Sequence, residues 1–179
     1  KDNKIDGLAV DAAHMVAIAY KEPELQLEWN LKALALAENS GEERAQQWRG
    51  SLYNNLGWTF HDKNDFTKAL DYFKKALEFR IEQKSSEVSI KIAKWAVARG
   101  HRSLGNIEEA LAIQSEIFEA NEKNNQKDGY NFEELGELYL LKGNKSKAKE
   151  YFSKAYDELS KDSWFVKNES KRLERLKNF

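Results

Sequence analysis

Three kinds of side chain in this chain of 179 residues could do chemistry: histidines, a cluster of glutamates, and arginines set near tryptophans. The histidines are His14, His61 and His101, and no two of them share a helical turn, the spacing a helical metal site needs. No HExxH, GxSxG, phosphate loop or EF-hand loop occurs. Glu133, Glu134 and Glu137 would lie close on one helix, where carboxylates can ligate a metal or be solvated or salt-bridged. The bland alternative is the expectation here. Arg99 and Arg102 carry planar donors that grip a carboxylate or phosphate in bidentate fashion. Trp58 and Trp95 offer large aromatic surfaces, and Asn54 can pair with both the N–H and the C=O of an extended peptide. Aromatics and arginine are the residue types that dominate interface energetics. The chemistry to expect is therefore recognition: no enzyme, no catalytic residue, no cofactor and no metal.

Composition sets the frame for that chemistry. Hydrophobic residues make up 41% and charged residues 33%, with one proline, which suits a largely helical chain. A formal charge of -1 argues against reliance on a strongly basic field, so nucleic acid is not the expected partner. The absence of cysteine excludes disulfides and cysteine-ligated zinc. No apolar run approaches the ~20 residues that cross a bilayer, and the opening KDNKID is polar, unlike a signal peptide. No membrane association and a cytoplasmic location are expected. The first residue is not Met, so the chain reads as trimmed or as a piece of a longer protein.

The elements that must position these residues are helices. Gly7 to Tyr20 is apolar enough to be covered on more than one side. Its outer face could be covered by a second subunit, giving a homodimer through the N-terminal helix. Pro23 suits the first turn of a second helix reaching about Glu38. Ser40 and Glu43 have the spacing of a capping box and predict one long helix from Gly41 to Asp62. Lys63, Asn64 and Asp65 turn it into Phe66 to about Gln83. Ser85 or Ser86 caps a third pair, split at Leu104-Gly105-Asn106, where glycine suits a left-handed helix end. The polar link Asn124 to Asp128 leads to a fourth pair that turns at Gly143-Asn144 and runs to about Leu159. Asp162 or Ser163 caps a final helix, Trp164 to Asn178.

Overlaid, the pairs share a pattern. Leu56-Gly57 matches Val97-Ala98 and Leu135-Gly136; Phe60 matches His101 and Tyr139. Ala69 matches Ala110 and Ala148, Phe73 matches Gln114 and Phe152, and Ala76 matches Ile117 and Ala155. At these positions the chain resembles the tetratricopeptide repeat, a helix-turn-helix unit of about 34 residues. Gly57 to Ala98 and Ala98 to Gly136 both exceed that length. Lengthened units of this kind look like those of bacterial peptide-sensing regulators and cargo-binding adaptors. The resemblance implies an all-α, right-handed superhelical solenoid over residues 5–179. Its repeats fall at about 7–39, 41–84, 86–123 and 128–160, with a capping helix at 163–178. In that cap Phe165, Leu173 and Leu176 share the inner face, and Lys171, Arg172, Glu174, Arg175 and Lys177 the outer one.

The resemblance also implies that the first helix of each unit lines a concave groove. On this sequence the stripe is Ser51, Asn54, Trp58, His61 and Asp62, then Ile92, Trp95, Arg99, Arg102 and Ser103. It ends with Tyr130, Glu133, Glu137, Leu140 and Leu141. The expected groove residues are Asn54, Trp58, His61, Trp95, Arg99, Arg102, Tyr130, Glu133 and Glu137. Their partner would be a protein or peptide bearing an acidic group or terminal carboxylate. Two alternatives stand beside it. The tryptophans could be packing, with the arginines paired internally to Glu133 and Glu137. The chain could also bind single-stranded nucleic acid or a small ligand, or be a structural part of a larger regulator.

Overall fold

The computed structural model describes residues 5–179. Its described residues form eleven helices. In chain order these are α1 (Asp6–Ala19), α2 (Pro23–Asn39), α3 (Glu43–Gln46), α4 (Arg49–Asp62), α5 (Phe66–Glu82) and α6 (Glu87–Ser103). Then come α7 (Ile107–Lys123), α8 (Gly129–Leu141), α9 (Lys145–Leu159), α10 (Ser163–Asn168) and α11 (Ser170–Lys177). The chain divides inside α6 into two compact units, one ending at Gly100 and one comprising His101–Phe179.

Local chemistry explains where most helices begin and end. Asp65 and Asn144 accept the amides of Lys68 and Lys147 at the starts of α5 and α9, each satisfying a donor the helix leaves open. Ser86 does the same for Ser89, Asp128 for Tyr130 and Asn131, and Asp162 for Trp164 and Phe165. The turns reverse through left-handed residues: Asn64 (φ 60°), Gly105 (φ 80°) and Gly143 (φ 76°).

Two expected helices are broken. The run Gly41 to Asp62 is split at Gln47–Trp48, and its start differs too, since Ser40 is used elsewhere. Its hydroxyl donates to Asp6 at 2.6 Å and accepts from the Glu42 amide, so no capping box forms with Glu43. Glu42 in turn accepts the Gly7 amide at 3.0 Å and closes the start of α1. The short α3 buries Ala45 in the first unit's core before the chain re-enters helix at Arg49. The final helix also breaks, into α10 and α11. The Asn168 side-chain amide donates to the Trp164 carbonyl at 2.8 Å, competing with the backbone ladder where it ends.

The core of the first unit joins Val10 and Ala13 of α1, Ala33, Leu34 and Ala37 of α2, Leu52, Tyr53 and Leu56 of α4, and Ala76 and Phe79 of α5. That of the second joins Phe132, Ala148, Phe152, Ala155 and Leu159 with Phe165 and Leu176. Gly57 and Gly136 are required by close approach. A Cβ on Gly57 would lie 2.4 Å from the Phe73 ring, and one on Gly136 would lie 2.6 Å from Phe152. Each glycine therefore lets a fully buried phenylalanine seat against the facing helix.

Candidate functional site: two lined helix faces

The nine expected groove residues divide between the units. Asn54, Trp58, His61, Trp95 and Arg99 lie in the first; Arg102, Tyr130, Glu133 and Glu137 lie in the second.

In the first unit α4 positions Trp58 half-buried, and three rings surround it. Phe73 meets it edge-on at 4.9 Å between centroids, His61 at 5.4 Å, and Trp95 of α6 at 6.0 Å. His61 also contacts Phe66 at 5.1 Å. Trp58 thus packs on the buried Phe73 while part of its surface stays open, so packing and lining are combined in one side chain. One turn back, the Asn54 side-chain oxygen is buried and accepts no hydrogen bond. An exposed strip runs along α6 beside Trp95: Val88 is 61% and Ile92 52% accessible, with half-buried Arg99 at the far end of the stripe. Ile92 was expected there; Val88 was not, although its i, i+4 spacing to Ile92 signals the same face.

The second unit is built on ion pairs. Arg102 grips Glu134 in bidentate fashion, Nε to Oε2 at 2.8 Å and Nη2 to Oε1 at 2.9 Å. Arg172 of α11 grips Glu133 the same way, with contacts of 2.6 and 2.5 Å, and Arg175 Nη1 reaches Glu137 at 2.5 Å. Glu133 and Glu134 are buried, 4% and 3% accessible. Burial pushes the Glu134 carboxyl up to about 7 against the opposing pull of Arg102, and the neighbouring Glu133 and Glu137 push it the same way. Burial, the largest single influence, pulls the Arg172 guanidinium down, but its hydrogen bond to Glu133 and the charges of Glu133 and Glu169 together leave it above the ordinary arginine value. Phe165 of α10 meets Tyr130 edge-on at 5.9 Å, and the Arg172 guanidinium lies 5.9 Å from the same ring.

The expectation that Arg172 and Arg175 lie on the outer face of the cap is therefore corrected. Both turn inward, because buried carboxylates on α8 need a cation more than the arginines need water. The internal pairing that was weighed for Arg102 occurs with Glu134, while Glu133 and Glu137 take the arginines of α11. The expected inner face of the cap holds: Phe165 and Leu176 are buried, with Leu173 packed against them.

Among the described residues no group of three or more His, Cys, Asp or Glu is placed to hold a metal ion, and no helix is long and apolar enough to cross a membrane. An open pocket of about 520 Å³ in the second unit is lined by Phe118 and Phe132 with Lys127, Lys154 and Lys161 among its charged residues. Those lysines are answered by acids, Lys154 by Glu150 at 2.6 Å and Lys161 by Glu158 at 2.9 Å, so they mark no anion site.

Comparison with known proteins gives one consistent outcome. Residues 51–80 and 132–158 each match a tetratricopeptide repeat model. No curated protein has a sequence that matches the chain. Among solved structures, a Podosopora anserina protein with nearly identical TPR-like repeats, assigned as a kinesin light chain, covers 96% of this chain and 93% of its own at 12% identity and a TM-score of 0.67. A variant of that protein covers 89% of this chain and 78% of its own, at 14% identity and a TM-score of 0.70. BtubC (BKLC) from P. vanneervenii covers 87% of this chain and 65% of its own, at 18% identity and a TM-score of 0.72. Tetratricopeptide repeats are in general protein–protein interaction modules, and typically non-catalytic scaffolds. The chain is an all-α helical-repeat protein with a tetratricopeptide-like solenoid fold, carrying tetratricopeptide repeats at residues 51–80 and 132–158.

Proposed function

We propose that this protein binds a peptide segment of a partner protein along the helix face that carries Asn54, Trp58, Trp95 and Arg99. The observation that supports this reading is the partly open Trp58–Trp95 cluster, with Asn54 one turn before Trp58 on the same helix. The exposed Val88 and Ile92 extend the face with apolar area for a ligand side chain, and Arg99 supplies a guanidinium suited to an acidic side chain or terminal carboxylate. Such a scaffold transforms nothing; its specificity lies in the side chains it presents. The lengthened units fit this use in a cytoplasmic regulator or cargo adaptor of bacterial type, partly ordered before binding so that little is lost on association.

The test is affinity capture from native lysate with the wild-type chain, Arg99→Glu and a control substitution, Lys142→Glu, in the second unit. A protein captured by wild type and the control but lost with Arg99→Glu supports the reading. An identical set captured by all three contradicts it.

A further inference from the structure

The first helix is apolar on two opposite sides. Gly7, Val10, Ala13 and Ala17 are buried in the first unit, where α1 packs on α2 and α3. On the far side Ile5, Leu8, Ala12, Met15 and Ala19 stand exposed, with Ile5, Leu8 and Met15 at 58%, 52% and 56% accessible. We propose that this outer stripe is the interface of a homodimer, in which α1 packs along α1 of a second copy of the chain.

Four observations carry it. First, the spacing is that of a helix pair. Positions 5, 8, 12, 15 and 19 step by three, four, three and four, which keeps one seam of side chains facing one partner helix. The small Ala12 at the middle of the seam lets two helices come close. Second, the seam holds no charge. Asp6 accepts the Ser40 hydroxyl at 2.6 Å, and His14 packs on Trp48 at 5.2 Å between centroids, so both are turned to the chain's own body. Ala9 and Val16 flank the seam on one side, Asp11 and Ile18 on the other. An identical copy therefore brings apolar surface against apolar surface with no like charges in the seam, whereas a partner chosen by charge finds nothing to read there.

Third, the first and last helix pairs are finished differently. The last pair is covered by the chain itself: Phe165 and Leu176 are buried in its core, and Phe179 meets Phe152 edge-on at 4.6 Å. Among the described residues nothing covers the outer stripe of α1. A second copy thus finds the same bare stripe and no bare last pair to stack on, so the contact is isologous and closes at two. Fourth, the size fits. Ile5, Leu8, Met15, Ile18 and Tyr20 are between 36% and 59% accessible. Together they leave on the order of 500 Å² of apolar surface in water, at the upper end of what a monomer exposes. A standard interface buries about 800 Å² per partner, so the seam with its rim reaches the small end of that class. A dissociation constant in the micromolar range is expected.

Sedimentation equilibrium of the full chain over a hundredfold concentration range should show the mass rising from 20.7 kDa towards twice that value. Leu8→Glu combined with Met15→Glu sets two carboxylates in the seam at exposed positions. This variant should keep its helical circular dichroism and stay at the monomer mass throughout, with the dimer weakened at least a hundredfold. Leu141→Glu, at an equally exposed leucine of the second unit, should leave the dimer intact. The chain has no cysteine, so Ala12→Cys reports the seam directly. On oxidation it should form a disulfide-linked dimer at least ten times faster than Lys142→Cys, which reports random collision. If the double glutamate variant loses its helicity, these cross-linking rates decide alone. A wild type that is monomeric at every concentration overturns the proposal. So does a dimer that survives the two glutamates in a folded chain, or cross-linking of Ala12→Cys no faster than of Lys142→Cys. Capture through Arg99 is read in a separate assay, so either result can fail while the other stands.

Discussion

The pairs α4–α5 and α8–α9 are built alike inside and unlike outside. In both, a glycine admits a buried phenylalanine, Gly57 with Phe73 and Gly136 with Phe152. Each has a stacked aromatic pair: Phe60 on Tyr72 at 5.4 Å and 4°, Tyr139 on Tyr151 at 5.5 Å and 6°. Lys68 covers Phe60 and Lys147 covers Tyr139. Lys75 covers Tyr72 and Lys154 covers Tyr151. The outward faces share nothing comparable. One offers Asn54 and Trp58 with Trp95 beside them; the other offers three glutamates, each locked to an arginine. Packing is the repeated quantity, because the same interhelical gap recurs, whereas the lining is free to differ and so is where function can be written.

That contrast can be broken most severely at the ion pairs. Arg102→Ala strands Glu134 in the second unit and should cost about 3–5 kcal/mol at alkaline pH, where the carboxylate is ionised, measured by denaturant unfolding. The cost should shrink on acidification as Glu134 becomes neutral. In the wild-type chain this carboxyl has its folded pKa raised from 4.5 to about 7, so the folded state binds more protons than the unfolded state between those values. Its contribution to stability is therefore full below about 4.5, falls as pH rises towards 7 and is flat above. Glu134→Gln should remove that slope.

A change to the shared interior should hit both pairs equally. Gly57→Ala and Gly136→Ala each drive a Cβ into a phenylalanine ring and should cost about 1–3 kcal/mol, with Gly41→Ala, which meets no neighbour, as the near-neutral control. Next comes Trp58→Ala. Its contact with Phe73 means that it does not leave melting unchanged: part of its surface is packed, and about 1.5 kcal/mol should be lost alongside binding. The smallest effect is expected for Lys142→Ala, whose pair with Glu108 is exposed and worth below about 1 kcal/mol.

The interior was legible in the sequence because glycine, alanine and aromatics at helical spacing have few other uses; Gly57, Phe73, Gly136 and Phe152 fall as their pattern predicts. The turns at Asn64, Gly105 and Gly143 were legible for a similar reason. The loss of the Ser40 capping box was not, because Ser40 bonds to Asp6, a contact across distant positions that no local spacing encodes. Nor was the inward turn of Arg172 and Arg175. A charged helix face reads as solvated until carboxylates are known to stand opposite, and those carboxylates lie on another helix. Asn54, Trp58 and Trp95 were legible as a face, but the unsatisfied oxygen of Asn54 emerges only with the neighbours in place.

The most direct measurement follows the five tryptophan indole N–H signals by nitrogen-15 NMR while the binding segment of the captured protein is titrated in as a peptide. Trp58 and Trp95 should shift together and saturate at one affinity, with Trp29, Trp48 and Trp164 unmoved. Shifts confined to Trp29, Trp48 or Trp164, with Trp58 and Trp95 still, would contradict a ligand face on α4 and α6.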